Sequence, residues 1–430
     1  MKILIIAHDF PPTNRSASLR PYSWAKYWKK LGHEVCVVTA KLESFRTPLD
    51  LESYPELESM WVEEVQYLPI KSKLNNSNHQ PSSSTKYTKL RSFFRKANTF
   101  LGTGSLFFAS MLWITPAIKK ISQIYKKNNF DIVVSTFGPP AAHIIGHYVK
   151  KRHKEIFWVA DYRDLWSDGH LFESKGIFSR LERYIEKKYT ASCDLLTVVS
   201  EPLKLTLENK LGKPTFVIEN GFDIDEYSLK SMSANLKTSK VRMVYTGTVL
   251  EKQNPLSLFE ALSELSKQQK NIDKKIEVIF YSLSFQYINS LIERFRVSKI
   301  VTIKPYLPRK EILNIQKEAD ALIFLDWNDP KVSGILTNKI FEYMYSGTLI
   351  LAIGSDKRTI ASDLIEEVGV GVYLGNSVSS IKDVIKKMLN AEQLSYSPNP
   401  EILKKYTREA LAAKLIQLII QRADSNKNNQ

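Results

Sequence analysis

Short apolar runs rich in β-branched residues alternate along this chain with longer stretches whose apolar positions recur every three to four residues. The run KILIIAH starts at residue 2 and ends in a polar loop over 9–17. A helix is expected over 19–31, with Ser18 placed to cap it and Gly32 to close it. EVCVVT follows as a second buried strand, and FDIVVST, IFWVADY, DLLTVVS and FVIEN repeat the pattern, with helices over 141–151 and 176–190. A helical pattern covers roughly 87–127, after a polar surface loop at 74–85. Residues 225–240 lack any apolar period and read as a link between domains. The alternation then restarts with VRMVYTG, IEVIFYS, VTIKPY, ADALIFLDW, GTLILAI and VGVYL, separated by helical stretches. A last helix is expected near 401–422 and a disordered tail over 423–430. Runs of this length at this spacing predict an α/β protein with parallel sheets covered on both faces. The expectation is two Rossmann-like, doubly wound domains facing each other across a cleft. They are 1–222, joined by the last helix at about 401–422, and 223–400.

Composition narrows the class. At 430 residues the chain has room for two or three domains. Its two cysteines, Cys36 and Cys193, form no CxxC and no disulfide framework, which fits a reducing compartment. A strand-like start leaves no room for a leader, and no run reaches the ~18 apolar residues of a spanning helix, so a cytoplasmic location is expected. Lys and Arg number 61 against 45 Asp and Glu, a net charge of +16. Between Glu64 and Asp131 there are eleven basic residues and no acid. The apolar companions there, Phe93, Phe94, Phe107, Phe108 and Trp113 among them, suit an anionic membrane surface better than nucleic acid. A solvated basic face over core helices would read the same way.

Three groups of residues can carry chemistry. The segment from Ser333 to Gly347 runs from a polar loop into a helix, whose first amides and dipole suit a diphosphate. Lys339 lies in its first turn and Glu342 at i+3, where a carboxylate can accept ribose hydroxyls or simply face solvent on an amphipathic helix. In Tyr245-Thr-Gly-Thr248, Gly247 ends a strand and permits close backbone approach, while Thr248 and Lys252 offer a hydroxyl and a cation, unless this is an ordinary strand-end turn. STFGPPAAH and ADYRDLW place His143, Asp161, Arg163 and Asp164 at two neighbouring strand ends, either as a site or as a structural network. Walker, GxSxG and GxGxxG motifs are absent, which disfavours a dehydrogenase. Asp326 and Asp329 read as a cap and a turn, and no metal site is expected.

Taken together, FPPTNRSASLRPYSWAKYWKKLGHEVCVVT, STFGPPAAH, VADYRDLWSD, CDLLTVVSE, VIENGFD, YTGT and KIFEYMYSGTLILA resemble family 4 glycosyltransferases of the GT-B fold. Among these the chain is similar to the bacterial branch that includes fucosaminyltransferases of surface-polysaccharide assembly. The resemblance implies a nucleoside diphosphate sugar donor, UDP-linked, held mainly by the second domain, with no further cofactor and no metal. It implies retention of anomeric configuration and a lipid-diphosphate-linked or saccharide acceptor. Gly247, Thr248, Lys252 and the helix start at Thr337, Asn338 and Lys339 would meet the diphosphate, Glu342 the ribose, and Tyr306 and Leu307 the base. Catalytic roles fall to His143, Asp161, Asp164 and Lys252, with Arg20 and Arg163 on the acceptor side. The enzyme would work peripherally on the inner face of the cell membrane, docked through residues about 65–130, without nucleic acid. One departure stands out: eight residues before Glu342, where the family often has a second Glu, this chain has Gly334. A GT-B-type sugar-nucleotide epimerase and a non-catalytic membrane-surface protein on the same fold are the rival readings.

Overall fold

Strands that are apolar on both faces have to be covered on both faces, and each apolar run of the sequence sits in one of two all-parallel sheets. The computed structural model describes all residues except 14, 42–53, 68–102, 107, 170–173, 229–239, 251, 330–331, 333, 393 and 429–430. The chain divides into two compact units, Met1–Glu219 with Ala412–Gln430, and Asn220–Leu411.

The first unit holds a seven-stranded sheet of order β3-β2-β1-β4-β5-β6-β7. Its strands are β1 (Lys2–Ile6), β2 (Glu34–Ala40), β3 (Trp61–Val65), β4 (Ile132–Thr136), β5 (Phe157–Tyr162), β6 (Leu195–Val198) and β7 (Thr215–Val217). The helices between them are α1 (Ser16–Lys30), α2 (Ile114–Tyr125), α3 (Ala141–Arg152), α4 (Gly176–Thr190) and α5 (Glu201–Leu211). Leu4 lies opposite both Cys36 and Val133, and all three are fully buried, which fixes the register at the sheet's centre.

The second unit holds a six-stranded sheet of order β10-β9-β8-β11-β12-β13. These strands are β8 (Val241–Thr246), β9 (Ile276–Tyr281), β10 (Val301–Lys304), β11 (Ala321–Leu325), β12 (Leu349–Ile353) and β13 (Gly371–Gly375). The helices are α6 (Asp225–Ser228), α7 (Leu256–Gln268), α8 (Phe285–Phe295), α9 (Arg309–Glu318), α10 (Asn338–Tyr345), α11 (Ile360–Val368), α12 (Val378–Leu389) and α13 (Pro400–Lys405). The chain ends in α14 (Arg408–Asn428). In each sheet the strand order reverses beside the first strand, between β1 and β4 and between β8 and β11. The loops after those strands are where open α/β sheets bind ligands.

Several expectations change. Strand β3 escaped the sequence because WVEEV has only an edge strand's weak alternation. Helix α1 begins at Ser16, and Ser18, instead of capping it, turns its hydroxyl back to the carbonyl of Arg15 at 2.6 Å. Of the helix expected over 87–127, the described part is a 3₁₀ turn at Ala109–Trp113 leading into α2; the loop at 74–85 and most of the link at 225–240 lie outside the described residues. The tail expected to be disordered continues α14 to Asn428. Once Leu411, Leu415, Ile416 and Ile419 bury one face, each further residue adds a helical bond without a new nucleus.

Candidate functional site

In the second unit, β8 ends at Gly247, whose φ of +116° only glycine adopts without strain. A Cβ there would stand 3.1 Å from the ammonium nitrogen of Lys339, so the missing side chain is what lets the lysine lie against the strand end. Lys339 reaches this point from the first turn of α10. Its Nζ sits 4.1 Å from the centre of the Tyr245 ring and donates to the Tyr245 hydroxyl at 2.8 Å. That hydroxyl in turn donates to the Thr248 carbonyl at 2.9 Å, so the phenol fixes both the lysine and the turn. No carboxylate pairs with Lys339 among the described residues, and an ammonium has three protons to give. Burial pushes its pKa down to about 7, against the opposing charge of Glu342.

The expected neighbours distribute unevenly around this point. Thr248 is exposed, and Thr337 holds the N-cap position of α10 without its side chain capping the helix, with Asn338 the first helical residue. Tyr306 is exposed and Leu307 half-buried against the core, both in the turn between β10 and α9. Lys252, expected to be the principal cation, is largely solvent-exposed and its Nζ lies 2.7 Å from Asp329. Its charge is compensated by that carboxylate, whereas Lys339 lies against the strand end with a phenol as its partner. Glu342 is also engaged: Arg309 donates to its Oε1 at 2.7 Å. The same guanidinium grips both oxygens of Glu226, at 3.0 and 2.7 Å, and Arg408 approaches Glu226 at 3.4 Å. Sequence reading passed over Arg309. Its only trace was a basic residue opening the helix next to the segment assigned to the base.

In the first unit the strand ends after β4 and β5 form a saturated network. Asp161 is fully buried and accepts four bonds, from Arg20 Nη2 at 2.6 Å, Arg20 Nε at 3.1 Å, and the hydroxyls of Thr136 and Thr197 at 2.8 Å each. Arg20 spends its remaining reach on the Glu219 carbonyl at 2.8 Å. With all four lone-pair sites of Asp161 taken, Asp161 and Arg20 clamp α1 to three strands. His143 is likewise fully buried. The Trp158 indole donates to Ser135 Oγ at 2.9 Å, and the same hydroxyl is hydrogen-bonded to His143 Nδ1 at 2.8 Å, which leaves Nε2 as the ring's other nitrogen. That Nε2 has no hydrogen-bond partner and sits among Phe137, Tyr162 and Trp166. Burial drives the imidazole pKa down to about 3, partly opposed by Asp161, which favours the neutral ring. His143, Asp161 and Arg20, expected on the catalytic and acceptor side, are thus all engaged within the first unit's own network.

Arg163 and Asp164 differ from these. Arg163 donates to the carbonyls of Phe137 and Ala17 at 2.8 Å and of Gly138 at 3.2 Å, bracing the loop after β4 against the first turn of α1. Gly138, at φ +95°, is required there because a Cβ would stand 2.3 Å from the guanidinium. Asp164 is partly exposed, and its carboxylate makes no hydrogen bond or ion pair among the described residues. Beside them the loop after β1 holds a pair that sequence reading did not pick out. Asp9 is buried, takes Arg15 on both oxygens at 3.0 Å and His8 Nδ1 at 3.1 Å. Burial would raise its pKa, but His8 and the charges of Arg15 and Arg163 outweigh that and lower it. Among the described residues no cluster of His, Cys, Asp and Glu could hold a metal ion.

Comparison with known proteins adds a family match over part of the chain and a fold. The family model described as Glycosyltransferase Family 4 matches residues 21–226. No curated protein matches the chain. Sucrose-phosphate synthase from Thermosynechococcus elongatus is similar in structure, with a TM-score of 0.65 at 12% identity over 98% of each chain. HepE from Anabaena, solved in complex with UDP-glucose, gives 0.57 at 14% over 100% of each chain. The lipopolysaccharide outer core galactosyltransferase WaaB in its apo form gives 0.57 at 10% over 99% of this chain and 100% of the other. At such identities the likeness is one of fold.

Proposed function

We propose that this chain, whose residues 21–226 match the model of glycosyltransferase family 4 and whose two parallel sheets make the GT-B fold, transfers a sugar from a UDP-linked donor to a lipid-linked or saccharide acceptor. The observation that carries this reading is Lys339, a half-buried ammonium held by a phenol instead of a carboxylate, against a glycine at the switch point of the second sheet. A cation left without a counter-charge in such a place is stabilised by an anion that arrives from outside.

The chemistry follows from where charge develops. As the bond between sugar and diphosphate breaks, negative charge grows on the leaving phosphate and positive character on the sugar. Lys339 and the first amides of α10 stabilise the leaving group from fixed positions, with no metal required. Glu342, steadied by Arg309, accepts the ribose hydroxyls, and Tyr306 and Leu307 flank the base. On the other side of the reaction, Asp164 is the carboxylate left to meet an acceptor hydroxyl, while Arg163 shapes the loops around it. Retention of configuration and a product in bacterial surface polysaccharide complete the proposal, in keeping with the family and with the likeness to a lipopolysaccharide galactosyltransferase. The acid-free segment 65–130 would rest on the anionic inner leaflet, near a lipid-diphosphate acceptor.

Thermal-shift screening and calorimetry against a panel of nucleoside diphosphates and their sugars tests the reading. UDP-sugars are expected to bind, and Lys339→Met to abolish most of that binding. A chain that binds no nucleoside diphosphate overturns the proposal. Conversion of a bound sugar nucleotide with no acceptor present would replace transfer by epimerisation.

A further inference from the structure

Helix α4 carries an outer face unlike an ordinary solvated one. Its only two acids, Glu182 and Glu186, are fully buried. Glu182 accepts from the backbone N–H of Ser105 at 2.9 Å and from the Ser105 hydroxyl. Glu186 accepts from the N–H and hydroxyl of Ser167 at 3.2 and 2.5 Å and from Lys210 at 2.8 Å. These bonds fix the rotation of the helix. What remains outside is Ile177, Leu181 and Tyr184, which are 76%, 44% and 63% exposed. Their spacing of four and three puts them in one stripe. Around the stripe stand Lys175, Arg180, Arg183, Lys187 and Lys188, all exposed, and no exposed acid lies on the helix. The acid paired with any of the five is Asp168, 3.5 Å from Arg183 and also 2.9 Å from Lys210.

We infer that α4 is a membrane-docking helix. It lies in the plane of an anionic bilayer, with Ile177, Leu181 and Tyr184 at the boundary between headgroups and acyl chains and the lysines and arginines among the lipid phosphates. Charge decides for lipid over a protein partner. Lysine is depleted from protein interface cores, whereas every cation close to an anionic leaflet adds attraction. No helix among the described residues is long and apolar enough to cross a membrane, so docking would be from one side. The inference rests on the membrane reading above and names a surface outside 65–130.

Co-sedimentation of the full chain at low salt tests it, with vesicles of phosphatidylcholine alone and of phosphatidylcholine with one third phosphatidylglycerol. The wild-type chain is expected on the anionic vesicles only. Ile177→Ser with Leu181→Ser and Tyr184→Ser should weaken that binding by at least ~10-fold. Arg180→Ser with Lys188→Ser should weaken it by roughly 25-fold, about five-fold per charge. All five side chains are exposed, so an unchanged melting temperature is expected and checks the fold. If the α4 variants bind like wild type while serine replacements of the lysines in 65–130 release the chain, the α4 assignment is wrong and the membrane reading survives. If the wild type binds neither vesicle, both fall. If the wild type instead self-associates and the apolar triple substitution abolishes that, the face belongs to a second copy and the inference is overturned. Transfer to a soluble acceptor, measured alongside, should be unchanged in every α4 variant. Its absence from the wild type too would count against the transferase reading alone.

Discussion

Lys339 turns the donor site into a proton-linked one. In the empty site its pKa is lowered to about 7, from an ordinary value of 10.5, because burial disfavours the ammonium. Two phosphate charges arriving beside it favour the ammonium again and return the pKa toward 10.5. The sign follows directly. Above pH 7 the free protein has lost the proton and the complex has regained it, so binding takes up a proton and weakens as pH rises. At pH 8 the uptake should be roughly 0.9 proton per donor, and apparent affinity should fall about 50-fold between pH 7 and pH 9, near ~2.3 kcal/mol. Below about pH 6 both forms are protonated and the dependence vanishes. The assay is titration calorimetry with an intact UDP-sugar in two buffers of different ionisation heat. The intact sugar nucleotide is essential, because the terminal phosphate of a free diphosphate ionises near pH ~6 and would mimic the effect. Lys339→Met should bind far more weakly, show no uptake, and lose ~10²–10³ in turnover. Tight wild-type binding with heats independent of buffer across pH 7–9 would refute the reasoning, as would the same uptake in the variant.

Other expectations separate structural from chemical roles. Arg309→Met releases one oxygen of Glu342 and both of Glu226, so donor KM should rise while turnover at saturating donor falls little; equal KM values would show that Arg309 does not position Glu342. Asp161→Ala strands the Arg20 guanidinium in the core and should destabilise the fold by ~3–5 kcal/mol in urea melts, whereas Asp164→Ala should leave the melt unchanged and reduce transfer. His143 has a folded pKa of about 3 against 6.5 for the free side chain, so its contribution is complete above pH 6.5 and is lost as pH falls toward 3, where the unfolded chain binds a proton the folded one refuses. His143→Phe should flatten the acid limb of the urea midpoint by about one proton over that range.

A parallel strand buried on both faces leaves an unbroken apolar run, and β1, β11 and β12 announced themselves that way. WVEEV did not, since an edge strand with one covered face need not be apolar throughout. Which residues would gather at the strand ends was also legible from the order of strands and loops. Their electrostatic standing was not. Nothing in the sequence distinguishes Lys252 from Lys339, yet one faces Asp329 at 2.7 Å and the other faces a phenol. ADYRDLW contains two aspartates three residues apart that look alike on paper. The last turn of β5 points the first into the core against Arg20, and the chain leaves the sheet before the second. Partner choice of this kind depends on side chains far along the chain, Arg20 being 141 residues from Asp161, and local pattern carries no record of it.

The two strand-end sites thus solve opposite electrostatic problems. At the first sheet, Asp161 and Asp9 each face an arginine, and His143 is held neutral, so the buried groups are in balance before any ligand arrives. Such a network fixes loop positions and leaves recognition to its partly exposed rim, where Arg163 and Asp164 lie. At the second sheet, Arg309, Arg408, Glu226 and Glu342 balance one another, and Lys339 stands outside that balance with a tyrosine for company. A half-buried ammonium in that position costs free energy in the empty protein, which its lowered pKa records. The cost is retained because an anion removes it on binding, and removes more of it as charge accumulates on a departing phosphate than in the ground state. Differential stabilisation of that kind is what accelerates a reaction, so the residue that weakens the resting fold is the one expected to matter most for turnover.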